Sequence, residues 1–298
     1  MNIVMDINKV LRNHRMSMAL IGLSKVKFEE LLVTFTQILT EERNSHKRKR
    51  RIGGGRNGNI KSAEQKLFFI LFYMKNYPTY DVAAFLFASS KTSTCDWVHD
   101  ILPILKKTLG RELSLPKRQL RTPEEFFQLF PGVKEVMLDG VERPAVRSKN
   151  NKTQQKNYSG KKKRPTRKND LVVDKTKKVL VLTPTKHGRV HDKKMSDKFS
   201  LVTTIPHEVS ILTDTGLQGI QKQHPNTFMP KKRSKYYIFT EADRQWNRLI
   251  SSTRIVVEHA IAGIKRYKVA SDIFRNKNGL DDTFMELSAG LWNFHLRG

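Results

Sequence analysis

Along "KFEELLVTFTQIL", residues 27 to 39, apolar side chains recur three and four apart, the period of a helix with one buried face. Three short helices are predicted between 62 and 109. They are "AEQKLFFILFYMKN", then "TYDVAAFLFAS" opened by Pro78, then "STCDWVHDIL", which Ser93 or Thr94 could cap. Beyond residue 132 the pattern changes. "VKEVMLD" (133–139), "DLVVD" (170–174), "KVLVLTP" (178–184) and "HEVSILTD" (207–214) are apolar runs of strand length, with short helices expected after Asp192 and Thr215. "STRIVVEHAIAGIKRYK" (252–268) reads as one helix. On it Arg254, Glu258 and Lys265 fall within an arc of roughly 40°, and Val256, Ala260, Gly263 and Tyr267 gather on the opposite, core-facing side.

These patterns divide the chain into a helical region at 1–110, a proline-rich connector at 111–132 and a mixed α/β domain at 133–298. There is no internal repeat. The 38% hydrophobic content and 16 Phe support a real core. Trp97, Trp246 and Trp292 are expected in cores or domain contacts. The longest apolar run, "LFFILFYM", is far too short to span a bilayer, and the first residues show no signal-peptide pattern. A single cysteine, Cys95, excludes an intramolecular disulfide framework and a Cys-rich zinc site, as suits a reducing cytosolic compartment.

Charge narrows the function. With 56 Lys and Arg against 28 Asp and Glu, the formal net charge is +28, and a potential of that sign draws polyanions, nucleic acid first. The charge is also clustered. Residues 43–61 hold eight Lys or Arg and no acid, a basic arm in which Arg50 and Arg51 would track phosphates; a nuclear-import signal is the rival reading. Residues 147–178 carry 13 Lys or Arg against two Asp. There Lys161, Lys162 and Lys163 either follow a DNA backbone or guard a solvated edge strand against aggregation. Between the second and third short helices, Ser89–Lys91 make a tight turn. Two helices joined so fit a helix-turn-helix in which Lys91 and Ser93 face base edges, although an ordinary three-helix bundle looks similar.

Two of the apolar strands end in a carboxylate: "EVMLDGVERP" at Asp139 and "EVSILTDTGLQG" at Asp214. A carboxylate beside a buried strand is costly unless something compensates for it. Asp139–Gly140 could be a turn dipeptide and Asp214 a helix cap. With Glu258 they also offer three carboxylates from three elements, the means by which hard divalent cations are held for phosphoryl transfer. His191–Asp192 could assist a metal or polarise a water, and reads otherwise as a turn followed by a helix N-cap.

The same stretches resemble the DDE transposases of bacterial insertion sequences, a group related to Harbinger-type nucleases. "DGVERP" is similar to the first acidic motif, "YSGKKK" to the basic strand after it, and "TDTGLQG" to the second aspartate motif. Arg254, Glu258 and Lys265 reproduce the spacing of the last signature, and "GRVHD" at 188–192 resembles a further one. Many relatives place Tyr three residues before that arginine, whereas this chain has Ser251. The resemblance implies a ribonuclease-H-like core preceded by an all-α helix-turn-helix domain. It implies that Asp139, Asp214 and Glu258 converge on Mg²⁺ or Mn²⁺, two ions in all, and that Arg254 and Lys265 meet phosphates. It further implies a DNA transposase that cuts double-stranded DNA at terminal inverted repeats and transfers the strands into target DNA. Such a protein would act as a homodimer or higher oligomer, without a membrane, in the bacterial cytoplasm at the nucleoid. The alternative is a domesticated, sequence-specific DNA-binding protein that has lost the chemistry.

Overall fold

Leu67 to Met74 are eight consecutive buried residues, yet they form a helix, because an apolar surface on every side suits a helix enclosed by others. That helix belongs to the first of two units in the computed structural model, which describes residues 5–45, 59–233, 237–276 and 279–297. The first unit takes the chain up to Leu115 and a short later segment, 266–270. Its helices are α1 (Ile7–Arg12), α2 (His14–Leu20), α3 (Lys25–Ser45), α4 (Ala63–Asn76), α5 (Tyr80–Leu86) and α6 (Lys91–Arg111). Short polar side chains fix the starts. Ser62 and Gln65 form a capping box on α4, and Thr79 caps α5 through the Val82 amide.

The cap of α6 is Ser90, not Ser93 or Thr94. Its hydroxyl accepts from the Ser93 amide at 3.1 Å, so the helix starts at Lys91, and Thr94 is fully buried away from solvent. The helix also runs through Pro103, where a sequence reading stops it. Val98, Ile101, Leu102, Leu105 and Leu109 form a continuous buried stripe, and its burial outweighs the hydrogen bond that proline forfeits.

The second unit comprises residues 116–265 and 271–296. It opens with α7 (Pro123–Leu129), capped by Thr122, and continues with β1 (Glu135–Pro144), α8 (Asn151–Asn157), β2 (Tyr158–Ser159), β3 (Arg164–Asp174), β4 (Val179–Leu182) and β5 (Lys186–His187). Then come α9 (Asp192–Lys198), β6 (Ser210–Thr213), β7 (Thr227–Phe228), α10 (Glu241–Lys265) and α11 (Leu280–Leu296). The sheet order is β2-β3-β1-β6-β7, with β4 and β5 also on β3. β1 is antiparallel to β3 and parallel to β6, and β6 is parallel to β7. An antiparallel set leading into a parallel pair, with helices on both faces, is the ribonuclease-H-like core expected.

β1 is longer than its apolar run. Glu142 and Arg143 continue it, because they pair across the ladder with Lys168 and Arg167 of β3. Asp139–Gly140 is therefore strand interior and not a turn. Alternation then sorts the side chains. Val136 and Leu138 join Phe126, Val172, Ile211 and Ile220 in the core on one face. Met137, Asp139, Val141 and Arg143 point to the other, where Val257, Ala260 and Ile264 of α10 are buried. Val257 thus takes the core place expected of Val256, which is only half-buried.

Candidate active site

Strand register brings the two aspartates together. The last pair of the parallel ladder is Leu138 with Thr213, and Asp214 continues in extended backbone at φ −84° and ψ 162°. Asp139 and Asp214 are therefore neighbours on the α10 face. Each is pinned in the same way. The Gly140 amide donates to Asp139 Oδ1 at 2.7 Å, and the Thr215 amide donates to Asp214 Oδ1 at 2.5 Å. Arg254, half-buried on α10, donates to Asp139 Oδ2 at 3.3 Å. Glu258 follows one turn later on the same stripe, about 6 Å along the axis, and is exposed.

Burial pushes the Asp139 carboxyl above its usual range. The Gly140 amide and Arg254 pull it back, and the neighbouring Asp214 charge raises it again. Burial is thus the main reason the Asp139 charge is disfavoured, with the Asp214 charge a lesser one. Hard oxygen donors in a desolvated, anionic setting suit a divalent cation, and Asp139, Asp214 and Glu258 are the residues that would hold one. As the side chains stand, no three acidic, His or Cys groups among the described residues are close enough together to ligate a metal. Glu258 would have to turn inward.

Cations border the carboxylates. The Lys265 ammonium is lowered by burial first, then by the charges of Lys162 and Arg164, while Glu142 and Asp139 raise it. Lys161 acts on Asp139 from the β2–β3 turn. Lys163 is exposed in that turn at φ 53°. Arg254, Lys265, Lys161 and Lys162 therefore share one neighbourhood with Asp139. Lys91 and Ser93 lie in the first unit, Lys91 paired with Asp81 at 2.9 Å on the surface and the Ser93 hydroxyl bonded to Ser90. Arg50 and Arg51 lie outside the described residues.

Sequence reading missed a second polar cluster, behind the strand. Asp170 faces Gly140 across the ladder and is 1% exposed, and neither carboxylate oxygen has a hydrogen-bond partner among the described residues. Asp192 is the first helical residue of α9 and not its cap. It accepts from Lys168 Nζ at 2.8 Å and abuts both Gly140 and Gly216. The signal was present: an acid two residues after a lysine, inside a strand that should be buried.

Burial drives the Asp170 carboxyl well above the ordinary range; the Asp192 charge adds to this and Lys168 opposes it. The sign is then fixed. Below the ordinary carboxylate pKa of about 3.9 both states are protonated and Asp170 costs nothing. As pH rises, the unfolded chain ionises first, so native stability falls until the raised folded value is passed. Asp170→Asn removes that loss. It should stabilise the protein by about 1–3 kcal/mol at pH 7.5 and by much less at pH 4.5. Denaturant melts at the two pH values measure this; a variant less stable at pH 7.5 would show that Asp170 is ionised and paired.

The sequence of the chain is similar to those of known proteins. The family model described as DDE superfamily endonuclease matches residues 138–293, and the one described as helix-turn-helix of DDE superfamily endonuclease matches residues 60–111. The "Probable transposase for insertion sequence element IS702" of Microchaete diplosiphon is 30% identical over 238 residues, 78% of this chain and 80% of its own length. No solved structure matches. The span from α4 to α6 thus coincides with the helix-turn-helix match, and the sheet with α10 and α11 coincides with the endonuclease match. The chain belongs to the DDE superfamily of endonucleases and, within it, to the insertion-sequence transposases.

Proposed function

We propose that the protein cuts double-stranded DNA at the terminal repeats of its own element and joins the freed ends to target DNA. The observation that supports this best is the adjacency of Asp139 and Asp214 on the face covered by α10, with Arg254 on Asp139 and Glu258 one turn away. Asp139, Asp214 and Glu258 would hold two divalent cations, Mg²⁺ or Mn²⁺. When bound, these ions activate the attacking water or 3′-hydroxyl and stabilise the leaving oxygen.

The rest is done by the chain itself. Arg254 exchanges its contact with Asp139 for a phosphate, to which its guanidinium presents two parallel donors. Lys265, Lys161, Lys162 and Lys163 line the backbone path as point charges. Lys91 and Ser93 at the start of α6, with Arg50 and Arg51, bind the repeat, Lys91 leaving its weak surface pair with Asp81. Pairing of two ends requires at least two copies of the protein, acting at the nucleoid in the cytoplasm.

A DNA-bound protein without chemistry is the second reading, favoured by the exposed Glu258 and the absence of a three-carboxylate cluster among the described residues. A joining assay separates the two. Pre-cut element ends with a free 3′-hydroxyl are mixed with supercoiled plasmid and Mg²⁺ or Mn²⁺. Covalent joining of ends to plasmid supports transposition; tight, sequence-dependent binding with no joined product supports the second reading.

A further inference from the structure

The parallel ladder between β1 and β6 ends at Leu138 and Thr213, one residue before each aspartate. The Thr213 hydroxyl still donates across it to the Leu138 carbonyl at 2.9 Å. Past that point, among the described residues, no ladder pair joins the segments that carry Asp139 and Asp214. A carboxylate from a third element stands there instead. A Cβ added to Gly140 would point away from the Asp139 side of the sheet and meet Asp192 Oδ1 at 3.5 Å. One added to Gly216 would meet Asp192 Oδ2 at 3.4 Å. Asp192 thus stands against both segments, with one oxygen toward each. Neither glycine has left-handed backbone, so the turns do not demand glycine; the missing side chains leave room for this carboxylate. Asp170 also borders Gly140 at 3.5 Å, but it does not come within 4 Å of the same point on Gly216.

Lys168 anchors Asp192. Its ammonium donates to Asp192 Oδ1 at 2.8 Å and to the Val190 carbonyl at 3.1 Å, and most of both side chains is out of solvent. What Asp192 touches matters because of its neighbours. The Gly140 and Thr215 amides pin Asp139 Oδ1 and Asp214 Oδ1, so a shift of either segment turns an amide and, with it, a carboxylate. We propose that Asp192 is a positioning residue for the two aspartates: tethered by Lys168, its carboxylate is a spacer that fixes how far apart Asp139 and Asp214 stand. It acts through the backbone, as the outer partners of metal ligands do. This rests on the metal site proposed above, and adds a supporting carboxylate from the "GRVHD" stretch. A spacer works by size and by its bond to Lys168. Asparagine keeps both, since its carbonyl oxygen can accept from the ammonium; alanine keeps neither.

Binding of Mn²⁺ to the full-length protein, read from the loss of the free-ion electron paramagnetic resonance signal, tests this without any reaction. The part of the binding that Asp139→Asn abolishes reports the site. Asp192→Ala should raise the Kd of that part about 10-fold or more, and raise the Mn²⁺ concentration for half-maximal DNA cleavage by the same factor. Asp192→Asn should stay within about threefold of the wild type in both. Misfolding would lower the number of sites and leave the Kd of the remainder unchanged. Asp192→Ser shortens the side chain as well, and carries the same expectation if Asp192→Ala does not fold. A wild-type Kd in the shortened variants overturns the proposal. So does an Asp192→Asn as weak as Asp192→Ala, which would make charge and not spacing decisive. Both results leave the transposase reading intact. A wild type with no Asp139-dependent Mn²⁺ binding and no metal-dependent cut overturns the metal site and the spacer together.

Discussion

Asp139→Asn, Asp214→Asn and Glu258→Gln should each reduce DNA cleavage by about 10³-fold or more, while affinity for the same DNA changes by less than about threefold. The two halves of this result have different physical origins. Affinity comes mostly from counterion release by many cations, and one carboxylate among a formal net charge of +28 alters that little. Chemistry depends on charge at one point, and an amide offers neither the charge nor both lone-pair sets of a carboxylate. Asn at 139 keeps one oxygen, which can accept from the Gly140 amide, whereas its NH₂ cannot accept from Arg254; the strand contact is kept and the 3.3 Å contact to α10 is lost. The three losses should not add, because residues acting as one unit fail together. Single-turnover cleavage beside a binding titration measures both quantities. A Glu258→Gln protein that cuts at the wild-type rate would remove Glu258 from the site.

A large loss of stability is expected at Gly263. A Cβ there would stand 2.2 Å from Trp292 Cε3 and 2.3 Å from Cδ2, too close for any side chain. Trp292 cannot give way easily, since its Nε1 donates to the Lys177 carbonyl at 2.9 Å and its ring is buried. Gly263→Ala should therefore destabilise the protein by about 1–3 kcal/mol through overpacking, even after the gain of up to about 1 kcal/mol that alanine brings to a helix. For a unit of this size that lowers Tm by roughly 2–4 °C for each kcal/mol. The same displacement would shift α10 and with it Arg254 and Glu258, so cleavage should fall further than Tm alone explains. A variant as stable as the wild type would mean that α10 and α11 do not approach so closely.

What the sequence disclosed follows from what pattern can encode. Apolar runs located β1, β3, β4 and β6, because a buried strand needs such a run whatever its neighbours. They misjudged the length of β1, whose charged end is stabilised by pairing with β3 and so looks like a turn when read alone. The stripe of Arg254, Glu258 and Lys265 was legible because helical spacing alone places residues on one side. α10 itself starts eleven residues earlier than the pattern suggested, at Glu241, through a polar stretch that is locally helical but not amphipathic enough to stand out. Caps were the weakest point. Several small polar residues stand near the start of α6, and only geometry selects Ser90.

The site shows the same division. The sequence offered Asp139, Asp214 and Glu258 as candidates; strand register is what makes the two aspartates neighbours. Asp170 and Lys168 were passed over because their partners, Gly140 and Asp192, are distant in sequence and meet them only in the sheet. Trp246 was misread because tryptophan is usually buried, and its place beside an open cavity depends on the segment after β7, which has no regular pattern.

The most direct test is cleavage by the wild-type protein of a duplex that joins the end of its own element to flanking DNA, with Mg²⁺ or Mn²⁺ and again with the metal chelated. A cut at one defined phosphodiester at the element boundary, leaving a 3′-hydroxyl and absent without metal, is the predicted result. Sequence-dependent binding with no cut under any metal, or a cut that persists in chelator, would contradict the account.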